Sequence, residues 1–179
     1  MPTTRTPVFE LHILPMIRAM DRAHMQQFFG DGFDLWSYDF LRENAERVLD
    51  RLNLDMPTPE TGGLWPQEWI DLFRRWTVSG FKHLQLGTAE YEVVRTDDVV
   101  ELLASGTFPA SGYLGWLQLE LVTDAARSYV LYFESPDTPT ADPAESFFVG
   151  EQWVAGATPQ SVFVRDATGT RKLAVPDAS

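Results

Sequence analysis

Hydrophobic positions in the first half of the chain recur with the spacing of amphipathic helices. Apolar side chains return at intervals of three and four residues in three stretches: 15–28, 37–53 and 66–80. Pro15 and Pro66 suit the first turn of a helix because they have no amide hydrogen to leave unbonded there, and Ser37 is a natural N-cap. We therefore predict three helices, joined by two loops, over residues 8–86.

Beyond residue 86 the pattern changes to short runs rich in β-branched and aromatic residues, bounded by turn residues. Seven such runs predict β-strands: 91–95, 99–104, 113–122, 128–134, 146–154, 161–165 and 171–175. The run at 128–134 is apolar on both faces, as expected of a central strand that is covered on both sides. Their regular spacing predicts an antiparallel β-sandwich or barrel over residues 87–179. The chain as a whole is predicted to be an α+β protein with two domains.

Composition and charge limit the classes of function. The chain has 14 Lys and Arg against 26 Asp and Glu, a net charge of -12, which argues against nucleic acid as a partner. No apolar stretch approaches the ~18 residues that a membrane-spanning helix needs, and the N-terminus has no signal-peptide core. We expect no membrane partner and a cytoplasmic location. Cysteine is absent, which excludes disulfides, thiolate metal ligands and covalent haem attachment.

Four motifs follow one another in the helical half. In chain order they are Ile13-Leu14-Pro15, Met20-Asp21-Arg22-Ala23-His24, Met56-Pro57, and Trp65-Pro66-Gln67-Glu68-Trp69-Ile70 leading into Trp76 and Gly80. In this order they resemble the small cytochrome c-like domain, and the resemblance does not extend to the β half. It implies that His24 stands where the family has its proximal histidine and Met56 where it has its axial methionine. Met20 and Ala23 occupy the two cysteine positions, so the resemblance implies a bundle without covalent haem.

Two arrangements around His24 and Met56 are compatible with the sequence. Both side chains could ligate a haem that is bound without a covalent link, given an apolar slot. Alternatively, the protein's own aromatic side chains fill the space of the haem. The candidates for that role are Trp36, Trp65, Trp69 and Trp76. We expect the second arrangement, and with it no bound cofactor.

A soft-metal site is a further possibility. Imidazole and thioether groups, which suit Cu(I), follow one another at four-residue intervals: His12, Met16, Met20 and His24. A methionine stripe at helical spacing is more typical of core filling, and Pro15 places His12 before the helix proper. We therefore expect no metal site.

Several carboxylates and histidines are candidates for acid–base catalysis: Asp21, His24, Glu68, Asp71, His83, Glu90 and Glu92. Asp21 and His24 lie three residues apart on one predicted helix, a spacing at which a carboxylate can orient an imidazole as a base or simply form a salt bridge. Glu68 falls in the first turn of a helix, where negative charge is favourable without any functional demand. His83 lies near the predicted domain junction, where a cleft could form.

No constellation of polar residues has the pattern of a known catalytic site. We therefore expect a non-catalytic accessory or interaction protein that binds a protein partner or a small apolar molecule. The alternative is a small cofactor-free enzyme, of the cyclase or isomerase type, with an aromatic pocket at the domain junction. An enclosed aromatic cavity with a desolvated acid would favour the enzyme, whereas an exposed apolar patch would favour the binding module.

Overall fold

Two compact units make up the chain, Met1–His83 and Leu84–Ser179. The computed structural model describes residues 5–54, 56–58, 62–138, 140, 142–155 and 161–177. All α-helices of these residues lie in the first unit and all β-strands in the second, so the predicted α+β class is confirmed. Within the described residues, no helix has both the length and the apolar character that a bilayer crossing requires.

The helical unit begins with two short turns of helix, a π-helical turn at Phe9–Ile13 and a 3-10 turn at Leu14–Met16. Four α-helices follow among the described residues: α1 (Ala19–Phe29), α2 (Tyr38–Glu43), α3 (Ala45–Leu54) and α4 (Gln67–Val78). The pattern of apolar positions predicted three helices, and both departures from that prediction have a local cause.

The first departure is the start of α1. Pro15 lies in the 3-10 turn, and Ile17 is extended (φ -84°, ψ 105°), so that the α-helix begins only at Ala19. The carboxylate of Asp21 accepts the backbone N–H of Arg18 at 3.2 Å and thereby caps the helix start. Because this cap is supplied from inside the helix, no Ser or Thr marks the position in the sequence.

The second departure is a break in the second predicted helix. Asn44 leaves the helical conformation (φ -111°, ψ 13°) and separates α2 from α3. Its side-chain amide donates to the carbonyl of Phe40 at 2.9 Å, which satisfies an acceptor at the end of α2. The break interrupts the helix in the middle of a run of apolar positions that looked continuous in the sequence.

The core of the helical unit is strongly aromatic. Trp76 is fully buried, with ring centroids 5.6 Å from Phe9, 5.5 Å from Phe73 and 5.0 Å from Phe81. Its indole N–H donates to the carbonyl of Lys82 at 2.8 Å, so its only polar atom is satisfied. This cluster ties α4 to the N-terminal turns of the chain.

The described part of the β unit has eight strands: β1 (Gln85–Leu86), β2 (Glu90–Thr96), β3 (Val99–Thr107), β4 (Leu114–Val122), β5 (Ala126–Glu134), β6 (Ser146–Val154), β7 (Ser161–Asp166) and β8 (Gly169–Ala174). Seven of them were predicted, each within three residues of the observed bounds. The prediction missed β1, because a strand of two residues is too short to show alternation.

The strands form two sheets. One has the order β2-β3-β6, and the other the order β1-β5-β7-β8 with β4 paired to β5 as well. All pairings are antiparallel except that of β5 with β7, which is parallel from Ala126 opposite Ser161 to Val130 opposite Arg165. The prediction of a wholly antiparallel β unit is therefore wrong. Between β5 and β7 the chain passes through β6 in the other sheet, and a strand reached by such a crossover need not reverse direction.

One cluster of buried side chains contains residues of both sheets. On β3, Val100, Leu102 and Ala104 are fully buried and alternate with more exposed neighbours, as expected for a strand covered on one face. On β5, the consecutive residues from Tyr129 to Leu131 are all buried, which confirms the predicted central strand. The two sheets thus share one core.

Candidate functional site

A cavity of about 450 Å³ lies in the helical unit. All four helices and the segment at Met56 and Pro57 contribute to its wall, and most of the lining side chains are apolar. Binding sites for small molecules are usually apolar concavities of about 300–1,000 Å³. The cavity therefore has the size and the character of a site for a small organic molecule.

Burial divides the lining residues into a floor and a rim. The floor consists of the buried apolar lining residues: Ile17, Leu41, Leu52, Pro57, Trp65 and Phe73. Asp21 also lines the cavity and is buried. We assign to the rim the lining residues that remain exposed to solvent: Phe29, Arg47, Asp50 and Arg51. The depth of the cavity is thus mostly apolar, with one buried carboxylate, and its mouth is charged.

Aromatic rings form much of the wall. Phe33 lies between Phe29 and Phe40, with ring centroids 4.8 Å and 4.9 Å apart. Trp65 and Phe73 meet edge to face in the floor, at a centroid distance of 6.5 Å. Such rings offer flat, rigid surfaces to an apolar ligand.

An ion pair holds the loop between α1 and α2 in place. Arg22 donates twice to the carboxylate of Asp34, at 2.7 Å and 2.8 Å, and its guanidinium lies 4.5 Å from the ring centroid of Trp36. The hydrogen bond from Arg22 lowers the pKa of Asp34, in spite of the opposing effect of burial. Because this loop carries Phe33 and Leu35, the ion pair fixes part of the cavity wall.

Arg18 fixes a second loop near the cavity. It donates to both carboxylate oxygens of Asp21 at 2.9 Å, and also to the carbonyls of Gly62 and Gly63 at 3.0 Å and 3.2 Å. The hydrogen bond with Asp21 raises the pKa of the Arg18 guanidinium, so that it stays charged. This one side chain joins the start of α1 to the segment that precedes Trp65.

Two of the residues singled out in the sequence, His24 and Met56, line this cavity together. His24 is half-buried, and its ring packs on Phe28 at a centroid distance of 4.7 Å. Within the ranges given above, no hydrogen bond to the imidazole of His24 is formed. The ring nitrogens are therefore available to a molecule in the cavity.

Our expectation that aromatic side chains fill the space beside His24 and Met56 is wrong, because that space is open. Trp76 is in the core, and Trp65 forms the floor without closing the cavity. Trp36 is exposed and donates its N–H to the carbonyl of Ile17 at 3.1 Å. The number of large aromatic residues suggested that they fill the space between the helices. Instead, these side chains lie in the core, in the cavity wall or at the surface and leave that space open.

Asp21 and His24 both line the cavity, but they do not form the pair that their spacing suggests. Asp21 is buried, and its carboxylate accepts the three hydrogen bonds from Arg18 described above. The structure therefore uses Asp21 to hold Arg18 and the helix start, and leaves His24 without an orienting carboxylate among the described residues.

The other catalytic candidates are not among the residues that line the cavity. Glu68 is exposed in the first turn of α4, and Asp71 is paired with Arg74 at 2.8 Å. His83 stacks on Tyr38, with ring centroids 4.2 Å apart. Glu90 and Glu92 are exposed on β2. The pocket predicted at the domain junction stays a prediction.

The four residues of the suggested soft-metal stripe do not share one helix. His12 belongs to the π-helical turn, where its Nδ1 accepts the N–H of Val8 at 2.9 Å, and Met16 is buried in the 3-10 turn. Only Met20 and His24 lie on α1, and Met20 is exposed. The regular spacing therefore does not produce a common face. In the part of the chain that is described, no group of three or more His, Cys, Asp or Glu could hold a metal.

Sequence reasoning missed two features of the site. Arg47 and Arg51 line the cavity from one side of α3, at the spacing i, i+4 that marks one helix face, and Asn44, just before the helix, lines it with them. This spacing is visible in the sequence, but polar residues at such a spacing usually indicate the solvent-exposed face of a helix. The indole N–H of Trp65 is buried and has no hydrogen-bond partner among the described residues, which only the three-dimensional arrangement reveals.

Comparison with known proteins gives no relative: no family model, no curated protein and no solved structure matches this chain. The resemblance of the helical half to cytochrome c-like domains therefore stays a prediction.

Proposed function

We propose that this protein is a non-catalytic accessory protein whose helical unit binds a small, largely apolar molecule. The cavity of about 450 Å³ is the observation that supports this proposal most directly. Its buried apolar floor offers the desolvation that drives binding, and its exposed rim offers a path of entry. A cytochrome c-like bundle, a β-sandwich, a cytoplasmic location and a protein partner belong to the same proposal.

The hydrogen bonding of the polar side chains in the cavity wall favours binding without catalysis. Asp21 is fully engaged by Arg18, and His24 has no carboxylate bonded to it among the described residues. A general base is normally oriented by a second group. The wall therefore offers a polar contact in His24 rather than an assembled acid–base pair.

Calorimetric titration with naphthalene-2-carboxamide tests the proposal, because this neutral bicyclic probe suits a cavity with aromatic walls. We expect saturable binding to one site per chain. At a free concentration ten times the Kd, such binding stabilises the helical unit by about 1.4 kcal/mol.

A variant that fills the cavity supplies the matched control. Val48 lines the cavity from α3, whereas Glu46 is exposed on the same helix. Val48→Trp is expected to abolish binding, and Glu46→Trp to leave it unchanged, with both variants checked for helix content by circular dichroism. Absence of binding to the unaltered protein, or equal loss in both variants, would contradict the proposal.

Non-covalent haem is a second candidate ligand, supported by the presence of His24 and Met56 in one cavity wall. A haemin titration followed by absorption spectroscopy tests it. A Soret band that shifts in His24→Ala and in Met56→Ala, but not in His83→Ala, would support axial ligation by these two residues. A Soret band that shifts in neither His24→Ala nor Met56→Ala would contradict axial ligation of haem by these two residues.

A further inference from the structure

We infer that the molecule taken up by the cavity is amphipathic, with an apolar body in the aromatic floor and a carboxylate at the rim. This inference rests on the proposed function, since it names the chemical class of the ligand for the same cavity. It follows from which charges stand at the mouth and from how they are placed.

Two arginines stand at the mouth of the cavity. Arg47 and Arg51 reach the rim from the same face of α3, and among the described rim residues Asp50 is the carboxylate that accompanies them. Deeper in the wall, the charge of Asp21 is offset by its bidentate pairing with Arg18. Because Arg51 has a further interaction within the protein, the guanidinium of Arg47 is the principal candidate for a contact with the ligand.

Arg47 has weak contacts with the protein itself. Its Nη1 lies 3.5 Å from Oδ1 of Asn44, at the outer limit of a hydrogen bond, and its guanidinium lies 6.0 Å from the ring centroid of Phe33. Across the described residues, no carboxylate comes within ion-pair distance of it. The planar donor fork of Arg47 is thus available for the two parallel hydrogen bonds that a carboxylate accepts.

The aromatic wall and the rim are close enough for one molecule to use both. Phe33 lines the cavity and is also the ring that Arg47 faces, so the apolar and the cationic surfaces are continuous. A ligand whose apolar body packs on the Phe33 side of the wall therefore presents its other end to Arg47.

The experiment compares naphthalene-2-carboxylate with naphthalene-2-carboxamide, which have nearly the same shape and differ in charge. We expect the unaltered protein to bind the carboxylate about fivefold more tightly, which corresponds to one exposed ion pair of about 1 kcal/mol. This preference should shrink as NaCl is raised from 0.05 M to 0.5 M, because exposed charges are screened.

Substitution assigns the preference to the rim. In the double variant Arg47→Gln and Arg51→Gln, we expect the ratio of the two affinities to fall to about one, so that the carboxylate binds no better than the carboxamide. The control is Arg42→Gln, which removes one positive charge from α2 at a residue paired with Asp39 at 3.4 Å and outside the cavity wall. It should retain the preference.

The two proposals fail in different ways. Equal affinity for both probes, or a carboxylate preference that survives in the double variant, would overturn the inference and leave the proposed binding function intact. If neither probe binds to the unaltered protein, the binding function itself fails and the inference fails with it.

Discussion

The phenol of Tyr91 donates a hydrogen bond of 3.0 Å to the carboxylate of Asp166, which joins β2 of one sheet to β7 of the other. Asp166 is only 2% exposed and also accepts the N–H and the hydroxyl of Thr168, at 2.7 Å and 2.6 Å. Burial would raise the pKa of Asp166, but these hydrogen bonds and the charge of Arg171 outweigh it, and the pKa is lowered. Burial and the hydrogen bond to Asp166 raise the pKa of Tyr91.

A pH-dependent contribution to stability follows from the lowered pKa of Asp166. Because the folded state favours the ionised carboxylate, its contribution is present above the unfolded pKa of about 3.9 and is lost as the pH falls through the lower folded value. Asp166→Asn should therefore destabilise the β unit by about 1–3 kcal/mol at pH 7 and by less at pH 3. Urea unfolding at both pH values measures this difference.

Glu92→Gln is the control for that prediction, since Glu92 is exposed on the strand that carries Tyr91. Its effect should be small at both pH values. An equal loss of stability in Asp166→Asn at pH 7 and pH 3 would show that the charge of Asp166 contributes nothing.

Two tryptophans of the helical core should respond differently to replacement by phenylalanine. Trp76 donates its N–H to the carbonyl of Lys82, whereas the N–H of Trp65 is buried with no partner in the part of the chain that the structure describes. Trp76→Phe loses a hydrogen bond, but Trp65→Phe removes a polar group whose burial is unfavourable. The first variant should lose more stability than the second, by at least about 1 kcal/mol.

Thermal or urea unfolding of the two variants provides this comparison, with the loss of aromatic volume common to both. A greater loss in Trp65→Phe would mean that its indole N–H has a favourable partner after all.

The glycines held by Arg18 allow a test of that tether. Gly62 and Gly63 both have positive φ, at 96° and 78°, so alanine is strained at either position. An added Cβ at Gly62 would lie 2.5 Å from Nη1 of Arg18, whereas at Gly63 it would meet nothing within 4 Å. Gly62→Ala should therefore cost about 0.5–1.5 kcal/mol more than Gly63→Ala, because it also displaces the Arg18 side chain from its hydrogen bonds.

Measuring both glycine variants in an Arg18→Gln background completes the test. There the difference between Gly62→Ala and Gly63→Ala should largely disappear. If it persists, the strain at Gly62 has another source.

Local patterns predicted the secondary structure of this protein well and its connections poorly. Seven strands were placed correctly because alternation is a property of neighbouring residues, such as Val100 and Leu102. The parallel pairing of β5 with β7 was missed, because the residues of a strand do not indicate which other strand it pairs with or in which direction. The break at Asn44 was missed because apolar positions continue on both sides of it.

The candidate site was only partly predictable. His24 and Met56 were singled out from the order of motifs, and both line the cavity. The open cavity could not be predicted from the sequence, because it depends on where large side chains such as Trp36 and Trp76 lie in the folded protein. Volume left between helices is a tertiary property, and no pattern along the chain encodes it.

The parallel pairing of β5 with β7 also means that β5 is synthesised well before the strand that covers one of its edges. While the ribosome is still translating residues 135–160, the edge of β5 at Ala126–Val130 has no partner, because the strand that covers it begins at Ser161. An uncovered edge of this kind is a template for association with other chains. Nascent chains stalled before Ser161, or fragments cleaved there, should therefore be prone to aggregation and depend on chaperones until the missing strand is supplied.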